Sequence, residues 1–127
     1  WGYDNRTTAL RVPSGPQTAL RIEHRVAGAD ANPYLVMAVM LAGILHGLEN
    51  KMEPPAAIEG NAWDMKHDTP DLPCLMNVAV EKFLNSALIE KYLSAEFQLL
   101  YGKTKEQELN EFQRRVTDFE IDSYLRG

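Results

Sequence analysis

The segment Arg21-Ile22-Glu23-His24-Arg25 sets Arg, Glu and Arg at every second position. On a strand, residues two apart share a face, so Arg21, Glu23 and Arg25 point one way and Leu20, Ile22 and His24 the other. A half-buried strand is apolar on one face and mildly polar on the other. A cation–anion–cation face suits a site that holds an anion and a metal ion together, as phosphoryl chemistry requires. Arg6 and Arg11 precede it on a segment that reads as the partner strand. Four guanidinium groups near one hairpin repel unless anions compensate, and Arg grips phosphate or carboxylate through two parallel hydrogen bonds. Glu23 is then either glue between arginines or an oxygen ligand for Mg²⁺ or Mn²⁺. The plainer alternative is a cross-strand salt ladder on a solvated face, contributing little. The residues alone leave both open. Positions 6 and 11 differ by an odd number, so they share a face only across a bend or bulge.

The elements that must position these groups are legible in part. Residues 6–13 are β-branched enough for a strand, Ser14-Gly15-Pro16 is turn chemistry, and residues 19–26 form the second strand of an antiparallel hairpin. Two strands alone are marginal in water, so the hairpin is expected to complete a larger antiparallel sheet. Asn32 is a good N-cap and Pro33 suits the first helical position, which predicts a helix to about Asn50. Its small residues Ala38, Ala42, Gly43 and Gly47 predict close approach by another element and burial on most sides. Residues 51–73 are a Pro-rich connection, long for a structureless loop and so of functional interest. Helical pattern resumes over 74–85, with Ser86 and Ser94 as caps of two short helices. Thr104-Lys105-Glu106-Gln107 reads as a capping box opening a last helix to about Tyr124, with Leu109, Phe112, Val116 and Phe119 at helical spacing and its Phe and Tyr residues expected in the core. The fold class is α+β: a hairpin region (1–27), then a helical subdomain (32–127).

Bulk properties narrow the function classes. The 127 residues suffice for one domain, and the absence of a starting Met leads us to expect a cut from a longer protein. A net charge of -5 argues against nucleic acid as the main partner. The single cysteine, Cys74, excludes an internal disulfide and fits a reducing cytoplasm. No apolar run reaches the roughly 20 residues needed to span a bilayer. Other candidates for chemistry are weaker. His24 lies opposite the charged face, His46 sits inside an apolar helix, Lys66-His67-Asp68 lacks metal-ligand spacing, and Cys74 has no evident base.

Four short motifs occur in order: Asn5-Arg6-Thr7, Arg11-Val12-Pro13, Arg21-Ile22-Glu23-His24-Arg25 and Asn32-Pro33-Tyr34. Together they resemble the C-terminal part of the glutamine synthetase family, and the rest of the chain is similar to that family's helical C-terminus. The resemblance implies a partial catalytic domain from the last third or less of a full-length member, so the isolated 127 residues are expected to lack ligase activity. It implies that Glu23 ligates the metal nearer the ATP phosphates. Arg6 and Arg11 would face the transferred phosphoryl group and the substrate glutamate, Arg21 the nucleotide, and Arg25 the γ-carboxylate and phosphoryl intermediate. The implied partners are ATP with Mg²⁺ or Mn²⁺, glutamate, and ammonia or a polyamine, in a ring-shaped homo-oligomer. His24, Val26-Ala27-Gly28-Ala29-Asp30 and the stretch Phe112–Glu120 are more similar to the γ-glutamyl-polyamine branch. Trp63 stands at about the place of a tyrosine that some members adenylylate. A different class stays in view: a non-catalytic helical assembly module whose arginine hairpin binds anions passively.

Overall fold

The computed structural model describes residues 1–66 and 71–125 of the chain. They form two compact units, one within residues 1–70 and one within 71–127. The helix that follows Asn32 belongs to the first unit, whereas the sequence grouped it with the later helices. The class is α+β.

The first unit holds a three-stranded sheet of β1 (Gly2–Tyr3), β2 (Leu10–Val12) and β3 (Glu23–His24), in that order. The expected antiparallel hairpin is present: Leu10 pairs with His24 and Arg11 with Glu23. Its strands are far shorter than 6–13 and 19–26. The sheet is also mixed, because β1 runs parallel to β2, with Gly2 opposite Arg11 and Tyr3 opposite Val12. The shortening has a local cause. Asn5 Oδ1 accepts from the Thr7 N–H (2.9 Å) and Thr7 Oγ1–H (2.6 Å), and Thr8 Oγ1 reaches the Asn5 and Leu10 carbonyls. Side chains take the hydrogen bonds that a strand would have offered across the sheet. Arg6 therefore sits in a turn, which removes the parity problem with Arg11.

α1 runs Pro33–Glu49, with Asn32 Oδ1 accepting from Tyr34 N–H and Leu35 N–H as the N-cap composition predicts. The expected burial is not found: Ala42 is the one buried residue of α1, and no atom beyond the helix's own backbone lies within 4 Å of a Cβ built at Gly43 or Gly47. Its outer side carries Met37, Leu41, Ile44, Leu45 and Leu48. His46 is half-buried rather than core, beside the Asn50 amide at 3.3 Å. Between α1 and the second unit the chain makes a short 3₁₀ turn over Ala62–Asp64. His67 and Asp68 of the Lys66-His67-Asp68 candidate, and Thr69-Pro70 of the Pro-rich connection, lie outside the described residues.

The second unit is four helices: α2 (Met76–Leu84), α3 (Ala87–Leu93), α4 (Ala95–Gln113) and α5 (Asp118–Leu125). α2 and α3 pack on α4 around Val80, Ile89 and the rings of Phe83, Phe97 and Tyr101, whose centroids are 5.3–6.5 Å apart. Gly102 permits the α2–α4 approach, since a Cβ there would lie 2.2 Å from Leu84 Cδ2. Ser86 and Ser94 cap α3 and α4 as expected, accepting from Ile89 N–H and Phe97 N–H. The capping box at 104–107 is wrong. Thr104 is inside α4 with its hydroxyl donating to the Leu100 carbonyl, and Glu106 is paired with Lys103. The working box is Thr117-Asp118-Phe119-Glu120. There Glu120 Oε2 accepts from the Thr117 N–H (2.7 Å), and Thr117 Oγ1 accepts from the Glu120 N–H (3.3 Å). Phe112, Phe119 and Tyr124, expected in the core, are 68%, 78% and 82% exposed.

Candidate functional site

Glu23 is the centre of the charged cluster. β3 and β2 place it directly opposite Arg11. Its Oε2 accepts one bond from Arg11 Nη1 at 2.8 Å. Its Oε1 accepts two from Arg21, Nη2 at 2.9 Å and Nε at 3.2 Å. Arg21 lies just before the strand, but the two-residue spacing still brings it to the Glu23 side as the alternation required. Arg11, first through its bond, holds the Glu23 carboxyl below its ordinary value, with Arg21 adding to this and desolvation opposing it. The same Glu23 bond raises Arg11.

Arg11 has a second carboxylate partner, one with no signal in the sequence. Asp4, at the end of β1, accepts from Arg11 Nη2 at 2.8 Å. Asp4 adopts φ 48°, a left-handed conformation that Asp tolerates better than most residues. It also accepts from the Ser14 N–H (3.1 Å) and the Ser14 hydroxyl. Those Ser14 bonds, then Arg11, keep the Asp4 carboxyl below its ordinary value. The signal was absent from the sequence because Asp4 reaches Arg11 only across the parallel β1–β2 pairing. Arg11 Nε is shielded from solvent and has no partner.

Arg6 and Arg25 stand apart from this compensated group. Among the described residues neither makes an ion pair. Arg25 donates from Nη2 to the Arg6 carbonyl at 3.1 Å, and its backbone N–H bonds the Ala9 carbonyl at 2.9 Å, so its guanidinium lies against the turn that carries Arg6. Arg25 thus departs from Arg21 and Glu23, although the three alternate in sequence. The five predicted residues lie on or beside the β2–β3 pair, split into a trio whose charge Asp4 completes and two uncompensated cations.

The Arg6 turn is pinned from far along the chain. Asn5 Nδ2 donates to the Ile58 (3.0 Å) and Gly60 (2.8 Å) carbonyls, and Ala62 N–H donates to Thr7 Oγ1 (2.9 Å). Ile58 N–H reaches the Trp1 carbonyl, and the Trp1 indole donates to the Pro55 carbonyl. Gly2 is required by this contact: a Cβ there would lie 2.7 Å from the Ile58 oxygen. An open cavity of ≈ 650 Å³ results, lined by Tyr3, Asp4, Asn5, Arg6 and residues 57–60. Asn5 and Thr7 are positioning residues that sequence reasoning passed over, although Asn-x-Thr is a side-chain turn signal.

Of the remaining candidates, His24 is exposed, and exposed Cys74 points its thiol at the Leu72 carbonyl at 3.8 Å. Trp63 is 82% exposed on its 3₁₀ turn. Among the described residues no three His, Cys, Asp or Glu side chains are grouped to hold a metal ion. Glu23 alone fits a divalent cation. A carboxylate offers about four lone-pair positions, and three are taken by the arginines, leaving one on Oε2. A hard cation needs about six oxygens, so this chain could supply a single ligand of such a site. No helix of the described residues is long and apolar enough to cross a membrane.

Residues 1–124 match the glutamine synthetase catalytic domain. The chain is 42% identical over its whole length to the gamma-glutamylputrescine synthetase of Escherichia coli, covering 26% of that protein. It is 40% identical over 121 residues to the gamma-glutamylethanolamide synthetase of Streptomyces coelicolor, covering 95% of this chain and 26% of that one. Over 131 residues it is 30% identical to the glutamine synthetase of Thermus thermophilus, 98% of this chain and 29% of that protein. The solved structure "Apo GmaS without ligand" superposes with a TM-score of 0.81 at 25% identity, over 98% of this chain and 29% of that one. The chain therefore spans about a quarter of the length of the relatives it matches.

Proposed function

Because this chain belongs to the glutamine synthetase family, we propose that the protein carrying it is an ATP-dependent ligase joining the γ-carboxyl of glutamate to an amine. ATP phosphorylates the γ-carboxylate, and the amine then displaces phosphate from γ-glutamyl phosphate to leave the amide. Such transfers are catalysed mainly by positioning and by stabilising charge on the phosphoryl oxygens. The observation that carries the reading is the split within the cluster. Arg6 and Arg25, without carboxylate partners, are free to bind the oxygens of glutamate and of the transferred group. Arg11 and Arg21 instead fix the Glu23 carboxylate in its charged form with one lone pair open. Glu23 would hold Mg²⁺ or Mn²⁺ together with ligands from outside this chain, and that ion would neutralise phosphate charge. Arg21 serves the nucleotide side.

For the amine we favour an alkylamine of the putrescine class over ammonia. The relatives at 42% and 40% identity are gamma-glutamylputrescine and gamma-glutamylethanolamide synthetases, against 37% and 30% for two glutamine synthetases. The cavity beside Arg6, bordered by Asp4 and Glu59, also has carboxylates at its edge. The test uses the full-length protein with glutamate, ATP and Mg²⁺, offering putrescine and ammonia separately, for wild type and Glu23→Ala. Amide formation that collapses in the variant supports the ligase, and the preferred amine identifies the branch. No amide from wild type with either amine rejects the reading.

The Arg11–Glu23–Arg21 ladder also favours a second reading, a helical assembly module with passive anion binding. Thermal stabilisation by Mn²⁺ plus nucleotide separates them: it depends on Glu23 in the ligase and is absent in a passive module.

A further inference from the structure

We infer that Asp4 is a positioning residue that keeps the Glu23 carboxylate open to a divalent cation, by limiting Arg11 to a single bond on it. The inference rests on the proposed role of Glu23 and extends it to a residue outside the four motifs.

Arg is a planar fork, and an unrestrained guanidinium on a carboxylate settles into two parallel N–H···O bonds. Arg11 does not. One terminal nitrogen meets Glu23 Oε2 at 2.8 Å, and the other is turned away to Asp4 Oδ1, also at 2.8 Å. Nε makes no bond. Asp4 is itself anchored, since its carboxylate accepts from the Ser14 backbone N–H and hydroxyl and its N–H donates to the Val12 carbonyl at 3.0 Å. It is thus a fixed anion on the far side of Arg11. The result is visible at Glu23: Arg21 occupies Oε1 twice, Arg11 occupies Oε2 once, and one lone pair of Oε2 stays free. Without Asp4, Glu23 is the remaining carboxylate bonded by Arg11. With Oε1 filled by Arg21, a second Arg11 bond would fall on Oε2 and take its last acceptor position. Groups that orient a metal ligand without touching the metal typically change metal affinity by roughly 10–100-fold when removed.

The experiment is a titration of the full-length protein with Mn²⁺ alone, reading the free ion by electron paramagnetic resonance, with the melting temperature of each variant measured alongside. Asp4→Ala is expected to weaken Mn²⁺ binding roughly tenfold or more, and Asp4→Asn to weaken it less, because its amide oxygen still accepts from Arg11. Adding Arg11→Met to Asp4→Ala is expected to restore affinity, since the competing cation is gone. A scaffold role for Asp4 would lower the melting temperature and show no such rescue. Two results overturn the inference and leave the metal reading intact. One is wild-type affinity in Asp4→Ala while Glu23→Ala is weakened. The other is a loss in Asp4→Ala that Arg11→Met does not repair. Unchanged affinity in Glu23→Ala removes Glu23 as a ligand and the inference with it. If Asp4→Ala melts below the assay temperature, all variants are titrated at a temperature below its melting point, and wild-type affinity of Asp4→Ala there overturns the inference equally.

Discussion

The two compact units are held together by opposite means. In residues 71–125 the helices close on Val80, Ile89 and three aromatic rings, with one buried amide, Gln98, donating to the Phe83 (2.7 Å) and Ser86 (2.9 Å) carbonyls at the α2–α3 corner. In residues 1–66 the buried side chains are Thr8, Pro13, Ala42 and Ala62, and the sheet is secured by Asn5, Thr7, Asp4 and Arg11 bonding to backbone and to one another. The charged cluster sits in the unit with hardly any apolar core. A polar scaffold fixes directions where an apolar one fixes only distance, and a site that must aim guanidinium and carboxylate groups needs directions.

That contrast can be broken by substitution, beginning with the largest effect. Ile89→Ala should cost the helical unit about 2–5 kcal/mol, from lost burial and the cavity left behind, read by denaturant unfolding. A comparable loss on truncating a side chain of α1's exposed face would erase the distinction. Asn5→Ala should act on direction instead: a displaced Arg6 turn is expected to lower amide formation by the full-length protein about 100-fold, with a smaller change in melting temperature. A pure stability loss with unchanged kcat would show that the pinning is only mechanical. Gln98→Ala should cost about 1–3 kcal/mol by removing its two bonds to the Phe83 and Ser86 carbonyls, which keep the Ser86 and Glu90 N–H groups as donors, with Gln98→Glu no rescue because its carboxylate cannot donate.

The smallest effect sharpens the contrast at the α5 cap. The Thr117 backbone N–H, then its hydroxyl, holds the Glu120 carboxyl below its ordinary 4.5. A carboxylate depressed in the folded state stabilises above its unfolded value and loses that contribution as pH falls through the folded one. The wild-type minus Glu120→Gln difference in melting temperature should therefore be constant from pH 7 to about 5 and shrink below 4.5. A difference that is flat to pH 3 would remove the cap from the account.

What was legible in the sequence follows from how local each cause is. Asn32-Pro33 announced α1, and Ser86 and Ser94 announced α3 and α4, because each cap is settled within three residues. The alternation of Arg21 and Glu23 was legible for the same reason. The strand over 6–13 was overextended because Asn5, Thr7 and Thr8 bind backbone locally, a competition that β-propensity does not count. The helix start was misplaced because Thr-x-x-Gln at 104 and Thr-x-x-Glu at 117 are equivalent as patterns, and only the second falls where one helix has ended and the next begins. Asp4 was invisible because its partner is reached by sheet pairing, and Arg25 was grouped with Glu23 although its side chain turns to the Arg6 carbonyl.

The bonds that pin the Arg6 turn also dictate an order of events. Asn5 to Ile58, Trp1 to Pro55 and Ala62 to Thr7 join residues 53, 54 and 55 positions apart, whereas Gln98 closes its corner over 15 and 12. Loop closure grows with the logarithm of length, so the longer loops cost about 1 kcal/mol more each to form. Distant contacts also slow folding far more than they weaken the final state. By that measure the helical corner is expected to assemble before the arginine turn, and the anion grip is the part of the fold that depends most on distant segments of the chain finding one another.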